Sequence, residues 1–592
     1  MEHTFHLPVL GLAFSIDSPL KVAQFGIASV MSIVDDELVE RMREYYSKQH
    51  NLPYIPISPK AKDSRSKRIT AYLDLVQDIV KQQVNTLRNS DLDDSTDLQK
   101  YFHLLPESAN LKKTYNAYRS ETDADKKANL KATLMMGIKQ GEINVNIMSK
   151  VDKINTDASG NRLDHMYSDA NAALRGFAQS NLQGGLVLSA GMNPRLYSYL
   201  GELPQFMPNK YGQFQKRVIL KVSDYRSALI QAKFLAKKGI WVSEFRVESG
   251  LNCGGHAFAT DGFLLGPILD EFKKNKGFLQ QELYSLYTDS LNAKGYSIKS
   301  CPALTITAQG GIGTATEHDF LLNYYGLKST GWGSPFLLVP EATTVDEQTL
   351  KALASAQKED FYVSGASPLG VPFNNFKKSS AELNRLHRIH KGRPGAPCTK
   401  KYLISNAEYS DEPICTASRI YQYTKLKELE LFDADCADYQ KKLEAITEKT
   451  CLCEGLATSA YLKYDILQSK EDDAVAICPG PNTAYFNAVY SLQDMVDHIY
   501  GRKDLLIHSD RPSLFINELN LYIEHLEQYL QDNQLQMDEK KEKFVNKFKD
   551  ELLRGITYYE GIALQLYPID KDAQHQEFLN DLRDGLIRIT AL

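Results

Sequence analysis

The amino-acid sequence predicts an α/β protein built on a (β/α)8 barrel, with a helical insertion after the second strand and a mostly helical C-terminal region. Eight short runs of apolar and β-branched residues recur before residue 334, and an amphipathic helical pattern follows most of them. After about residue 345 this alternation stops. A doubly wound open sheet would show the same alternation and stays the alternative, because strand order cannot be read from a sequence.

The eight predicted strands carry the fold prediction. In order they are Leu7–Ala13, Ala28–Val34, Ile143–Met148, Gly185–Ser189, Arg217–Val222, Ile240–Glu248, Ala303–Thr307 and Ser329–Gly333. The segment DYRSALIQAKFLAKKG between the fifth and sixth strands shows why helices are expected between them. Its apolar positions are spaced three and four apart, and Gly239 is a suitable helix stop.

The domain organisation follows from where this pattern is interrupted. We assign residues 1–35 and 140–375 to the barrel, and residues 36–139, which read as helices joined by polar loops, to a helical insertion. Residues 376–592 form a predicted cysteine-containing helical domain, with helices over Lys425–Thr450 and Glu539–Gly555.

Composition excludes several classes of protein. Lys and Arg number 69 against 74 Asp and Glu, which gives a formal net charge of −5. A balance this close to neutral argues against a chain that coats nucleic acid through a broad basic field, so nucleic acid is not an expected partner. Hydrophobic residues at 43% and charged residues at 24% are ordinary globular values, which excludes wholesale disorder.

The sequence also bears on location. No stretch approaches the ~20 consecutive apolar residues that span a bilayer, and the start MEHTFH lacks the layout of a secretory signal. We therefore expect a cytoplasmic chain without membrane association, whose cysteines are mostly reduced.

Two glycine-containing loops predict a phosphate site. Gly310 and Gly311 stand at the end of the seventh predicted strand and precede a helix, and Gly333 and Ser334 close the eighth. Glycine lets the backbone approach an anion, and a helix N-terminus supplies free N–H groups. Barrel enzymes commonly bind phosphate at the loops after these two strands.

Other polar residues mark the predicted barrel mouth. His256 in ESGLNCGGH follows the sixth strand, where an imidazole can act as a general base, although a lone histidine is more often structural. Cys253 beside it is a possible nucleophile, with a packed thiol the favoured interpretation. Lys221 and Asn146 interrupt apolar strands, so we expect them at a polar mouth; for Lys221 a structural salt bridge is equally open.

These segments resemble the nitronate monooxygenase (2-nitropropane dioxygenase) family of FMN-dependent TIM barrels. In places they are closer to the related enoyl reductases associated with polyunsaturated fatty acid synthases. The matching segments are LPVLGLA, INVNIM, SGLNCGGHAF, ITAQGGIGTATEHDF, STGWGSPFLLVPEAT and SGASPLGVPFNNF, in the family's order. The long insertion, the tail and the loop FSIDSP depart from the ordinary monooxygenase and leave the substrate open.

Carried over position by position, the resemblance implies a flavin site. The residues implied to bind FMN are Asn146, Lys221, Gly254, Gly255, Gly310, Gly311, Gly333 and Ser334. The last four would hold the phosphate, the glycines at 254 and 255 would line the flavin, and His256 would be the catalytic base or substrate-orienting residue near N5.

The resulting expectation is an FMN-dependent oxidoreductase, a monooxygenase or a reductase, that acts on a small-molecule or acyl substrate. NAD(P)H or an electron donor protein would be its redox partner, and we expect a homo-oligomer. One alternative is a flavin-independent barrel enzyme for a phosphorylated substrate, with Lys221 as the Schiff-base or electrostatic residue. Another is an RNA-binding or protein-binding module that uses the basic stretches Lys60–Arg68 and His387–Lys401.

Six of the eight cysteines lie between residues 398 and 478. Cys398, Cys415, Cys451 and Cys453 stand beside proline, glycine or turn signals, as thiolate ligands of an Fe–S cluster or zinc often do. No C-x2-C pair occurs, and free cysteine is also a common buried residue, so packed thiols are the favoured interpretation and a metal site is the alternative. Cys436 lies in a helical stretch and is expected to be packed.

Overall fold

Eight parallel strands hydrogen-bond in sequence order, and β1 also pairs with β8, which closes a barrel. The computed structural model describes residues 2–148, 152–157, 159–189, 191–252, 261–430, 437–507, 511–533, 537–568 and 572–592. The strands are β1 Phe5–Leu7, β2 Ala28–Ser32, β3 Ile143–Ile147, β4 Gly184–Leu188, β5 Lys216–Val222, β6 Val242–Glu248, β7 Thr305–Gln309 and β8 Thr330–Gly331. The predicted (β/α)8 fold is confirmed, and closure rules out the open sheet.

The first strand is where the strand prediction was wrong. Leu7–Ala13 was predicted as β1, but the strand ends at Leu7, and Pro8 has no N–H with which to continue a ladder. The apolar residues that follow are buried as a loop, in which Val9 and Leu12 line the mouth of the barrel. The apolar residues after Leu7 therefore indicate a buried segment but not a strand.

Helices follow most of the strands and make up most of the insertion and the tail. Within and around the barrel they are Ser18–Val22, Asp36–Gln49, Ser64–Asn89, Thr96–Leu104, Asn110–Ser120, Ala124–Gly137, Asp169–Gln179, Pro194–Leu200, Tyr225–Lys237, Leu265–Ala293 and Ala315–Tyr325. Those after the barrel are Glu347–Ala354, Ser380–His390, Arg419–Leu429, Ala437–Thr447, Leu452–Lys463, Leu492–Ile499, Leu514–Asn533, Glu539–Leu566 and Asp572–Ala591. In the described ranges, none of the helices has the length and hydropathy that crossing a membrane requires.

Two helix predictions in the tail are modified. The helix predicted over Lys425–Thr450 corresponds to two helices, Arg419–Leu429 and Ala437–Thr447, and Cys436 lies outside the described residues. The helix predicted over Glu539–Gly555 continues to Leu566. A hairpin of β9 (Phe361–Ser364) and β10 (Phe373–Phe376) also stands between the barrel and the tail helices.

Barrel, insertion and tail share one apolar core. A single cluster of buried residues includes Phe5 of β1, Tyr72 of the insertion, and Phe486 and Leu582 of the tail. In the part of the chain that the structure describes, the insertion and the tail therefore pack against the barrel and share its core. The domain limits at residues 35, 139 and 375 stay predictions.

The interior of the barrel is partly polar. Residues two apart on a strand share a face, so Glu244, Arg246 and Glu248 of β6 point to one side. Arg246 donates to the Glu244 carboxylate from Nη2 at 2.7 Å, and Thr307 donates to it at 2.7 Å. Burial raises the pKa of Glu244, but Arg246 and Thr307 outweigh that effect, so the pKa lies below its ordinary value.

We expect Arg246→Met to lower the free energy of unfolding by about 3–5 kcal/mol, because it leaves the Glu244 carboxylate buried without its counter-charge. Chemical denaturation followed by circular dichroism measures this loss. The double variant Glu244→Gln/Arg246→Met removes both charges and should be less destabilised than the single variant. A double variant that is equally or more destabilised would contradict the assigned role of the pair.

Candidate active site

A cavity of about 180 Å³ lies at the carboxyl ends of the strands, the face where barrel enzymes place their active sites. Its polar floor includes Asn146 of β3, Lys221 of β5 and Glu248 of β6. Leu369 and Phe373 reach it from the β9–β10 hairpin region. The tail contributes a mostly apolar roof, made of Tyr402, Leu403, Leu452, Cys453, Leu456 and Cys478.

Three floor side chains and the buried Gln309 form one hydrogen-bonded cluster. Lys221 Nζ lies 3.1 Å from Glu248 Oε1, and the amides of Asn252 and Gln309 each donate to the same oxygen at 2.7 Å. The sequence left open whether Lys221 lies at a polar barrel mouth or forms a structural salt bridge. In the structure it does both. The cluster fixes the direction of the Lys221 ammonium group.

Two polar atoms in this region have no partner within the described residues. Oδ1 of Asn146 is buried, and no donor of that part of the chain reaches it; the same holds for Oε1 of Gln309. Buried polar atoms are ordinarily hydrogen-bonded. Asn146 thus lines the cavity and carries a buried acceptor that no donor in the described part of the chain uses.

Asp35, which follows β2, attaches the tail to the barrel mouth. Its carboxylate forms an ion pair with Lys400, and the hydroxyl of Tyr402 donates to it at 3.1 Å. It also caps the helix Asp36–Gln49 by accepting from Glu37 N and Leu38 N. Burial raises the pKa of Asp35, but Lys400 and these hydrogen bonds outweigh it, so the pKa lies below its ordinary value.

Asp17, in the loop after β1, plays a similar part. Tyr46 of the insertion donates to it at 2.7 Å, Thr344 donates at 2.6 Å, and Tyr464 of the tail is a further donor. Burial raises the pKa of Asp17, yet Lys21 and these hydroxyl groups bring it below its ordinary value. The loops after β1 and β2 therefore each carry a buried carboxylate, Asp17 and Asp35. Side chains of the tail donate hydrogen bonds to both.

The predicted phosphate loop is covered by the tail. Arg511 donates to the carbonyl of Gly311 at 2.7 Å and forms an ion pair with Glu317 at 2.8 Å, both side chains being 2% exposed. The Glu317 carboxylate in turn accepts from the N–H groups of Gly313 and Thr314. The chain's own carboxylate thus occupies part of the helix N-terminus that the sequence assigned to phosphate.

Packing also explains why glycines occupy positions 310 and 311. Gly310 and Gly311 have φ of +102° and +77°, and a Cβ on Gly310 would come within 3.0 Å of the Asn252 backbone. Gly333 is the N-cap of the five-residue 3-10 helix Ser334–Leu338, and Ser334 is buried. These four residues are not among the described residues lining the 180 Å³ cavity, although Gly311 lines a neighbouring cavity of about 230 Å³. Their assignment to phosphate stays a prediction.

The segment after β6 carries the predicted base. Cys253, Gly254, Gly255 and His256 lie outside the described residues, so their roles stay predictions. The chain on both sides of this segment is held by Glu518 of the tail, whose buried carboxylate accepts from Gly250 N at 3.0 Å and from Leu265 N at 2.7 Å.

The candidate ligand cysteines are all free thiols, and Cys453 lines the cavity together with Cys478. The neighbouring Cys415 thiol holds the pKa of Cys398 below its ordinary value. Within the described residues, no group of three or more His, Cys, Asp or Glu side chains is arranged to hold a metal ion. The zinc interpretation therefore finds no support there.

Sequence reasoning missed part of the floor and of the roof. Glu248, Asn252 and Gln309 were not singled out, although Glu248 and Gln309 end β6 and β7 and polar strand ends are a usable signal. Tyr402 and Lys400 could not have been found in this way, because they reach the site from about 365 residues beyond Asp35.

No protein-family model and no curated protein matches the chain. The solved structures that it resembles include the enoyl reductase domain of MlnA from the macrolactin biosynthesis cluster of Bacillus amyloliquefaciens, at 14% identity and TM-score 0.31, over 73% of this chain and 87% of that one. Another is a nitroalkane oxidase from Streptomyces ansochromogenes, at 11% identity and TM-score 0.28, over 64% of this chain and 85% of that one.

Identities and TM-scores this low assign no activity to the chain. The barrel is established by its own strand pairing.

We expect Asp35→Asn to destabilise the protein by about 3–5 kcal/mol at pH 7, because Lys400 then stays buried without its counter-charge. Asparagine keeps an oxygen that can cap the helix, so the loss reports the charge. Since the pKa of Asp35 is lowered below 3.8 on folding, its contribution is present above that pH and is lost as the pH falls through the lowered pKa.

Denaturation midpoints of the parent and variant, measured from pH 7 down to about pH 3, check this expectation. The difference should be largest near neutral pH and shrink in acid. The double variant Asp35→Asn/Lys400→Met should regain part of the stability. A difference that does not change with pH would contradict the ion-pair interpretation.

Proposed function

We propose that the chain is an oxidoreductase that binds FMN with its ring in the cavity at the barrel mouth. One observation carries this proposal: the same cavity floor holds Asn146, whose Oδ1 has no partner in the described residues, and the ammonium group of Lys221. Together they offer an acceptor and a cation, which suit the imide N–H and the electron-rich pyrimidine edge of a flavin. Bound there, FMN would supply hydride or single-electron transfer at N5.

The residues of this chain would bind and orient the ring. Glu248, fixed by the amides of Asn252 and Gln309, holds Lys221 in one direction. Leu403 and Leu452 of the roof keep water away, which strengthens the electrostatic interactions beneath them. His256 is proposed as the group that moves or directs the proton, as the resemblance implies.

The size of the cavity bears on how FMN would sit. At about 180 Å³ it is smaller than the ~300 Å³ at which ligand pockets usually begin, so it suits the ring alone. Gly311 borders a neighbouring cavity of about 230 Å³. Between this cavity and the first, the Asn374 amide donates to the carbonyl of Asn252. We place the phosphate near Gly310 and Gly311, on the side of this second cavity.

Two observations weigh against the alternatives. Arg65 and Arg68 of the first basic stretch both pair with Asp36, and Lys400 of the second pairs with Asp35, so these charges are used inside the protein. Lys221 is held by Glu248, which favours an electrostatic role over Schiff-base chemistry, since an amine nucleophile must be free to attack.

The purified full chain, mixed with FMN, should show a shifted flavin absorption band and quenched flavin fluorescence. Lys221→Met should weaken binding by about 10–100-fold, as expected for the loss of ~1.5–3 kcal/mol from a charged hydrogen bond. Asn146→Ala should weaken it as well, because the acceptor for the ring N–H is removed.

Lys233→Met is the matched control, since Lys233 is paired with Glu282 on helices outside the barrel. Its FMN affinity should equal that of the parent. A parent chain that binds no FMN would overturn the proposal, and equal affinities for Lys221→Met and Lys233→Met would remove Lys221 from the site. Oxygen consumption against NAD(P)H consumption then separates a monooxygenase from a reductase.

A further inference from the structure

Three residues stand side by side on neighbouring strands of the barrel. His6 of β1 pairs in register with Gly331 of β8, and Gln309 of β7 pairs with the same glycine from the other side. Residues in register on neighbouring strands direct their side chains to the same face of the sheet, which here is the interior, where Gln309 donates to Glu248. Since Gly331 has no side chain, the side chains of His6 and Gln309 are neighbours across it.

These two side chains fill the space above Gly331. A Cβ on Gly331 would lie 2.5 Å from Cβ of Gln309 and 2.9 Å from Nε2 of His6, with Cε1 of the same ring next at 3.3 Å. The edge of the imidazole that carries Nε2 is therefore turned towards the Gln309 side chain. Glycine at position 331 allows this approach, because any side chain there would stand between the two.

Each of the two side chains has one buried polar atom without a hydrogen-bond partner among the described residues. These atoms are Nε2 of His6 and Oε1 of Gln309. His6 is 3% exposed and Gln309 is 1% exposed, so neither atom can bond to bulk water instead. Buried polar atoms are ordinarily paired. A nitrogen that can carry a proton and an oxygen that can accept one thus belong to adjacent side chains.

The hydrogen bonds on the cavity floor decide which way the Gln309 amide points. The Glu248 carboxylate, paired with Lys221, can only accept, so Gln309 presents its NH2 group to it and its oxygen to the other side. The Asn252 amide agrees, because it donates to Glu248 and leaves its own oxygen 3.3 Å from Gln309 Nε2. The remaining Gln309 oxygen is an acceptor and requires a donor from His6.

His6 can supply this donor in one tautomer. Burial lowers the pKa of His6 well below its ordinary value, and Arg246 acts in the same direction, so the ring is neutral at pH 7 and carries a single N–H. With the proton on Nε2, Nδ1 is an acceptor, and the Ser329 hydroxyl lies 3.0 Å from it as the donor. The chain of hydrogen bonds then runs from Ser329 through His6 and Gln309 to the cavity floor.

We propose that His6 is a positioning residue for the cavity floor, whose Nε2–H donates to Gln309 Oε1. Because Gly331 puts no side chain between them, small rotations of the two side chains close this bond. It fixes the Gln309 amide, which holds the Glu248 carboxylate, and Glu248 in turn directs the Lys221 ammonium group. The bond itself needs no ligand, whereas its effect on FMN rests on the proposed function.

The first test uses the full chain without flavin. Its histidines are labelled with nitrogen-15, and the His6 signals are assigned by their loss in His6→Gln. At pH 7 we expect a protonated Nε2 and an unprotonated Nδ1, with the Nε2–H protected from exchange with water. In Gln309→Leu the same N–H should exchange faster. A proton on Nδ1, or protons on both nitrogens, would overturn the proposal.

The second test measures FMN affinity by quenching of flavin fluorescence. His6→Leu should weaken binding about 3–10-fold, as expected for the loss of one neutral hydrogen bond that orients the floor. His6→Gln should restore the affinity of the parent, because its amide N–H can take the place of Nε2–H. The double variant His6→Leu/Gln309→Leu should bind no more weakly than Gln309→Leu alone, since His6 acts only through Gln309.

His318→Leu is the matched control. His318 is buried too, and it bonds from the outer helix Ala315–Tyr325 to the hydroxyls of Thr4 and Thr330. Its loss should destabilise the fold and leave FMN affinity unchanged. Equal effects of His6→Leu and His318→Leu on affinity, or losses in the double variant that multiply, would contradict the positioning role. A parent chain that binds no FMN overturns the proposed function alone, and the nitrogen-15 signals then still decide the bond between His6 and Gln309.

Discussion

The ion pair between Asp35 and Lys400 is the constraint on which the barrel mouth depends. Asp35 follows β2 directly, and Lys400 stands two residues before Tyr402, which donates to the same carboxylate and lines the cavity. Charges buried this fully are costly unless paired, so the barrel and this part of the tail are held in one arrangement. The cavity consequently has a fixed roof over its polar floor.

Buried carboxylates at other loops of the mouth extend the same principle. Asp17 accepts from Tyr464 of the tail, Glu317 pairs with Arg511 of the tail, and Glu518 of the tail accepts from Gly250 and Leu265. Each of these carboxylates would be destabilising without its donors. The long C-terminal region thus supplies hydrogen-bond and ion-pair partners to the loops after several strands. These contacts explain why the tail packs against the mouth of the barrel.

The closed barrel and its polar mouth were accessible from the sequence because alternation and interrupted apolar strands are local signals. Lys221 and Asn146 lie where those signals placed them. The limits of β1 were wrong, since Val9 and Leu12 are apolar for packing at the mouth. The pairing of Asp35 with Lys400 was inaccessible, because no local pattern connects residues so far apart in sequence.

Hydrogen exchange of the full chain with and without FMN most directly tests the proposal that the tail-covered mouth of the barrel holds a flavin. If FMN binds there, amide exchange should slow in peptides that contain Asn146, Lys221 and the roof residues Tyr402 and Leu403. Peptides of the outer helix Tyr225–Lys237 should be unchanged. Protection confined to regions away from the mouth, or no protection under saturating FMN, would contradict it.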